Sequence, residues 1–268
     1  MNEKTISERG KTMKIIISGK GGSGKSTIAA LLARQYEQAG RRVLVVDTDE
    51  SNSCLHRLLG TDAPKDMMEY FGGKKDLMGK MRAVMAKSDG LLNVQLFEKP
   101  WAFEDLPPDF VVKKGDIRLA AIGKIHHAGE GCACPMGLLT RQFLKNLKLE
   151  SSDVVITDTE AGIEHFGRGI EESADLVLMV LDPSYEALVM AGKVRKMADS
   201  INVPVYYAFS RTDHATSAQL REGLADKDRI LGEIPQDPAL MAAGLNGQEV
   251  PSDYHPAHAI MENITSRV

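Results

Sequence analysis

In the run Gly19-Lys20-Gly21-Gly22-Ser23-Gly24-Lys25-Ser26-Thr27, the first eight residues satisfy the pattern G-x-x-x-x-G-K-[ST] of a loop that wraps phosphate groups. Glycines let successive backbone N–H groups turn inward around an anionic oxygen, and a helix starting at the loop adds its positive end. Lys25 can reach the β- and γ-phosphates as a point charge, and the Ser26 hydroxyl is placed to ligate Mg2+. Two acidic clusters follow short apolar runs: Asp47-Thr48-Asp49 after Val43–Val46, and Asp158-Thr159-Glu160-Ala161-Gly162 after Val154–Thr157. In open α/β sheets the ligand crevice lies beyond the carboxyl ends of the strands, so both clusters can face the same phosphates. A plain tight turn would need neither the lysine nor the two acidic strand ends.

A second motif, Gly131-Cys132-Ala133-Cys134-Pro135, places two thiols at i and i+2, on one side of the chain if the backbone is extended. Two thiolates fill half of a four-coordinate site, so other residues or a second copy of the chain must supply the rest. Soft sulfur donors favour Zn2+, Cu+ or Ni2+ and reject Mg2+ and Ca2+. Spacing alone leaves three readings open: a metal site, a redox pair, or two unrelated buried cysteines. His126 and His127 stand near enough in sequence to be ligands, although paired loop histidines are more often solvated. Cys54 reads as a small apolar residue buried on a helix. His56, His214, His255 and His258 carry no pattern.

The elements that must position these residues alternate. Lys14–Ser18, Val43–Asp47, Val154–Asp158, Leu176–Leu181, Val203–Phe209 and Ile230–Ile234 are β-branched apolar runs separated by helical patterns such as Ser26–Gln38. Strands buried on both faces read as continuous runs, so the fold class is α/β, a mostly parallel sheet flanked by helices. Between residues 55 and 150 the pattern weakens to an insertion, in which Leu91–Phe97 and Arg118–Gly123 read as further strands. The last residues, 255–268, read as a helix without a cationic face. Residues 1–12 read as a flexible extension, and residues 13–268 as one P-loop domain whose divergent region carries the cysteine pair.

Composition narrows the class. The 268 residues are 43% hydrophobic and 26% charged, enough apolar material for a core and against global disorder. A net charge of −4 argues against nucleic-acid backbone binding, and no apolar run approaches the ~20 residues of a membrane span. Three cysteines form no secreted disulfide framework and fit a reducing cytoplasm.

Lys20-Gly21-Gly22-Ser23-Gly24-Lys25-Ser26 resembles the deviant Walker A pattern K-G-G-x-x-G-K-[ST] of a family of P-loop ATPases of the SIMIBI class. The resemblance implies an ATP-dependent homodimer in which Lys20 reaches the partner's nucleotide. It implies that Asp49 orients the attacking water, that Asp158 closes the Mg2+ shell through water, and that the Gly162 N–H senses the γ-phosphate. Asp47 is then either structural or part of the metal shell. Gly232-x-Ile-Pro235-x-Asp237 matches the late loop near the base. Four residues depart from the pattern: Glu50 and Glu160, where proline is usual, and Ser210-Arg211 in place of the Asn-Lys that reads adenine. With Gly131-Cys-x-Cys134, Ala161-Gly-Ile-Glu-His165, Arg168-Gly169 and Ser53-Cys54, the chain resembles the CooC family of nickel-insertion ATPases. That implies Ni2+, or Zn2+ in its place, held between Cys132 and Cys134 of two chains for carbon monoxide dehydrogenase or acetyl-CoA synthase. An iron–sulfur scaffold or carrier ATPase and a MinD/ParA-like positioning ATPase are the alternatives.

Overall fold

The structure is a computed structural model that describes residues 11–85, 95–127 and 134–268. The chain runs β1 (Met13–Gly19), α1 (Lys25–Gln38), β2 (Arg42–Asp47), α2 (Leu55–Leu58), α3 (Met67–Tyr70), α4 (Gly73–Met85), β3 (Val111–Lys114) and β4 (Ile117–Ala121). It continues with α5 (Cys134–Asn146), β5 (Asp153–Asp158), α6 (Glu164–Gly167), β6 (Leu176–Leu181), α7 (Tyr185–Ser200), β7 (Val205–Thr212), α8 (His214–Gly223), β8 (Ile230–Pro235), α9 (Pro238–Asn246) and α10 (His255–Thr265). The strands form one sheet in the order β3-β4-β2-β5-β1-β6-β7-β8, parallel except for the β3–β4 pair. The mostly parallel sheet is as expected, and the P-loop strand lies inside it, between β5 and β6.

Period-two alternation divides the core between the two faces. Ile15, Ile17, Val43, Val45, Val154 and Ile156 pack with α1 and α10, while Ile16, Leu44, Val46, Val155 and Val177 pack with residues of α3, α5 and α7. The register sets Asp47 beside Asp158 and Val46 beside Thr157, so the acidic clusters meet at one end of the sheet. The antiparallel β3 covers the edge that β4 would otherwise present to solvent.

The structure differs from expectation in three elements. Of the strand read over Leu91–Phe97, residues 91–94 lie outside the described residues, and Gln95–Phe97 form no strand. Phe97 instead enters an aromatic cluster, with its ring centroid 4.8 Å from Trp101, which also meets Tyr70 at 5.4 Å. A short apolar run marks burial without specifying the period. The edge strand is Val111–Lys114, half exposed, with one valine and one lysine on each face. β7 starts at Val205 because Pro204, which lacks an N–H, precedes it. Cys54 is exposed at the N-terminus of the short α2 and is not buried on a helix. Residues 255–265 form the expected terminal helix.

The Trp101 cluster ties α3, α5 and the Phe97 loop to the sheet. Trp101→Ala should cost about 3–5 kcal/mol, read as a lower urea midpoint at unchanged slope; an unchanged midpoint would show that this layer contributes no stability.

Candidate functional site

Four segments converge at the carboxyl ends of β1, β2 and β5. Gly24, with φ +97°, turns the loop into α1, and a Cβ there would lie 2.7 Å from Ser210 Oγ, so this position requires glycine. Lys25 is buried and donates to the Lys20 carbonyl at 3.2 Å. Its burial lowers the ammonium pKa, an effect opposed by Asp158, Asp49 and Glu160. Ser26 Oγ donates to Asp158 Oδ2 at 2.6 Å and accepts from Asn52 Nδ2 at 2.9 Å.

Asp158 is almost fully buried at the end of β5. Burial first, and then the neighbouring Asp47 charge, push its pKa up to about 7. Its Oδ1 is buried with no hydrogen-bond partner among the described residues. An orphaned carboxylate oxygen beside a serine hydroxyl is a hard-oxygen donor set that fits Mg2+ with its retained waters. Asp47, the other strand-end carboxylate, is raised to about 6 by burial against the pull of Lys124, whose Nζ lies 2.6 Å away. With its carboxylate bound to Lys124 and to the Asp49 N–H, Asp47 is a structural brace for the loop. Asp49 Oδ1 accepts from the Ser51 and Asn52 N–H groups at 3.0 and 3.2 Å, which fixes the segment after β2 as an Asx turn.

A cleft of about 790 Å3 runs from this site over the P-loop, lined by Gly21, Gly22, Gly24, Lys25, Ser26 and Thr27. Ser210, Arg211, Pro235 and Asp237 line its far side. That volume suits a nucleotide. Arg211, held at φ +56°, donates to the Gly22 carbonyl. Lys20 leaves the P-loop toward Asp182, with Nζ 3.0 Å from its carboxylate. Gly162 N–H donates to the Gly19 carbonyl at 3.2 Å, which docks the loop after β5 on the P-loop. Ser23 Oγ is buried without a hydrogen-bond partner among the described residues.

The cysteine motif is only half visible. Cys132 lies outside the described residues, and Cys134 is exposed as the first residue of α5, a helical position. Among the described residues no group of three or more His, Cys, Asp or Glu side chains is arranged to hold a metal ion. His126 is exposed and bonded to Asp66 at 2.8 Å. Two residues of the phosphate end carry no motif. Asn52 bonds Ser26, and Lys124 donates to the carbonyls of Asp49 and Asn52 as well as to Asp47. A cation just beyond β4, the strand beside β2, is the signal that could have flagged Lys124.

The ordinary value for the Asp158 carboxyl is 3.8, and burial in the folded, nucleotide-free chain pushes it up to about 7. Between those values the folded chain holds more protons than the unfolded one, so stability falls as pH rises and the loss is complete above the folded value. Asp47 acts in the same direction. Without nucleotide or Mg2+, the wild-type melting temperature should therefore fall from about pH 5 to about pH 8 by more than that of Asp158→Asn. Parallel profiles for the two proteins would show that burial leaves this carboxyl unperturbed.

Among the described residues no helix is long and apolar enough to cross a membrane. Residues 14–250 match the profile of the CobQ/CobB/MinD/ParA nucleotide binding domain. An uncharacterised ATP-binding protein of Methanocaldococcus jannaschii is 46% identical over 94% of this chain and 100% of its own length. The carbon monoxide dehydrogenase accessory protein CooC of Rhodospirillum rubrum is 32% identical over 96% of this chain and 97% of its own. The fold is that of the septum site-determining protein MinD of Pyrococcus horikoshii in complex with Mg-ADP, with TM-score 0.67 at 18% identity over 94% of this chain and 96% of that one. With the P-loop, its paired strand-end carboxylates and a nucleotide-sized cleft in one place, the chain belongs to the CobQ/CobB/MinD/ParA family and is a P-loop ATPase.

Proposed function

We propose that this ATPase is a metallochaperone, a homodimer that closes on ATP and holds Ni2+, or Zn2+ in its place, between the Cys132 and Cys134 pairs of two protomers. On hydrolysis it passes the metal to a carbon monoxide dehydrogenase or an acetyl-CoA synthase. One observation carries the reading: the cysteine that heads α5 sits on a helix whose first turn is packed against Arg168, on the loop that follows Asp158. The metal motif is thus attached to the segment nearest the γ-phosphate. Similarity to CooC along nearly the whole of both chains supports the choice of cargo and client.

In this reading the P-loop amides of Gly19, Gly21, Gly22, Gly24 and Thr27 cradle phosphate, Ser23 and Lys25 bind it, and Ser210, Arg211, Pro235 and Asp237 border the base. Mg2+, held by Ser26 and through water by Asp158, neutralises phosphate charge when bound. Asp49 orients the attacking water, and Gly162 reads the γ-phosphate. Lys20 has a task beyond its own loop. In the single chain it is paired with Asp182, so it gains by crossing to a partner only when that partner holds a nucleotide whose charge exceeds one carboxylate. ATP then favours the closed dimer, and loss of the γ-phosphate removes the advantage.

Titration of the reduced protein with Ni2+ tests the cargo. One Ni2+ per dimer is expected, lost in the Cys132→Ala/Cys134→Ala double variant. Absence of thiol-dependent Ni2+ binding would overturn the reading. Visible absorbance after anaerobic reconstitution with iron and sulfide, in place of Ni2+ uptake, would assign an iron–sulfur carrier. Lys20→Ala should lower ATP hydrolysis by about 10²-fold with ADP affinity retained, as for loss of a transition-state charge contact. Hydrolysis at the wild-type rate would remove the partner contact from the mechanism.

A further inference from the structure

Histidine and glutamate are seldom fully buried, because withdrawing their charge from water is costly unless each is paired. His165 and Glu171 are both sealed from solvent, at 1% and 0% exposure, and neither lines the nucleotide cleft. Their Nδ1 and Oε1 atoms are in hydrogen-bond contact. His165 Nε2 lies 3.1 Å from the Gly162 carbonyl and 3.2 Å from Ser18 Oγ at the end of β1. A carbonyl can only accept, so Nε2 carries a hydrogen and the other shared proton lies between Nδ1 and Glu171. In either placement of that proton the pair is neutral overall, which makes its burial tolerable. Oε2 of Glu171 is buried and has no hydrogen-bond partner among the described residues, so this arrangement leaves one acceptor to be satisfied in another.

The pair stands between two contacts. On one side, the Gly162 peptide is held twice, its N–H by the Gly19 carbonyl and its carbonyl by His165. On the other, Glu171 opens a 3₁₀ turn, Glu171–Ser173, which packs against α5. Glu172 is 3.3 Å from Arg141 on that helix. Arg168 adds a second strap. Its guanidinium pairs with Glu160, and its methylenes lie on Gly137 in the first turn of α5, where any Cβ would collide with them. The segment 160–173 is therefore pinned to the P-loop at one end and to the cysteine-bearing helix at the other.

We propose that the buried His165–Glu171 pair is a positioning device that ties the Gly162 peptide to the 3₁₀ turn and so to α5, making the surroundings of Cys134 depend on which nucleotide is bound. The proposal rests on the reading above that Gly162 answers to the γ-phosphate and that the cysteines are the working end. A γ-phosphate oxygen competes with the Gly19 carbonyl for the Gly162 N–H. The peptide then turns, its carbonyl moves relative to His165 Nε2, and Glu171 carries the displacement into the turn against α5. Neither residue touches nucleotide; both act through the peptide they hold.

The test uses the full chain carrying Cys54→Ser, with alkylation of Cys132 and Cys134 timed by mass spectrometry in Mg2+ with ADP or with a non-hydrolysable ATP analogue. Rates at Cys134 should differ between the two nucleotides by about fivefold or more, the size of a typical coupling between sites. In His165→Gln, which keeps a donor for the Gly162 carbonyl but cannot reach Glu171, the ratio should fall close to one with ADP affinity unchanged. Arg168→Ala, at a partly exposed position, should reduce the ratio in the same way and serves if His165→Gln is unfolded by its melting curve. The same ratio in these variants as in the parent, or no nucleotide dependence in the parent, would overturn the proposal. A parent with nucleotide-dependent alkylation but no thiol-dependent Ni2+ uptake would sink the metallochaperone reading and leave the coupling standing.

Discussion

Two carboxylates share the carboxyl end of this sheet, and most of the site is organised around the cost of burying them. Register makes Asp47 and Asp158 direct neighbours on β2 and β5, both withdrawn from water. The Asp47 charge adds to the desolvation of Asp158, and the Asp49 charge to that of Asp47. The surroundings offset that cost with positive ends brought from elsewhere in the chain: Lys25 and the N-terminus of α1 from the P-loop, Lys124 from beyond β4, and the Ser26 hydroxyl. The balance is incomplete, because Asp158 Oδ1 keeps no partner. A site with residual negative charge and an unmet acceptor is prepared for a divalent cation, and through it for a polyphosphate.

The same constraint shapes the loops. Lys124 neutralises Asp47 and also binds the carbonyls of Asp49 and Asn52, so one ammonium group sets the path of the chain after β2. Asp49 then closes its own turn on Ser51 and Asn52, and Asn52 reaches back to Ser26. Phosphate loop and acidic loop are therefore one hydrogen-bonded unit before any ligand arrives. Such preorganisation lowers the reorganisation needed when charge develops on the phosphate.

What could be read from the sequence followed from local rules. The P-loop is legible because close approach of backbone to phosphate demands glycines at fixed spacing, and the inner strands because burial on both faces demands unbroken Val, Ile and Leu. The strand expected over Leu91–Phe97 fails because burial of Phe97 against Trp101 satisfies the same apolar residues without a ladder. Cys54 reads as a core residue but is exposed, since α2 is a single turn whose start points outward. Asn52, Lys124 and Glu171 announce nothing in sequence, and His165 enters only as the end of the Ala161–His165 motif, because the part each plays comes from a partner brought close by the fold.

One departure from the family pattern gains a physical sense from its surroundings. Glu160 stands where proline is usual, and proline would stiffen the turn after β5 but offer no charge. Here the glutamate pairs with Arg168, whose methylenes occupy the space left open at Gly137. Exchange of a rigid hinge for an ion pair gives up some backbone constraint and gains a contact that reaches across to α5. Three positions far apart in sequence, a glutamate after one strand, an arginine eight residues on and a glycine three residues past Cys134, thus form one device. Losing the glycine would displace the arginine, and losing the arginine would leave the half-buried Glu160 carboxylate, already close to the Glu50 and Glu164 charges, without its cation. That interdependence joins the cysteine helix to the nucleotide end of the sheet.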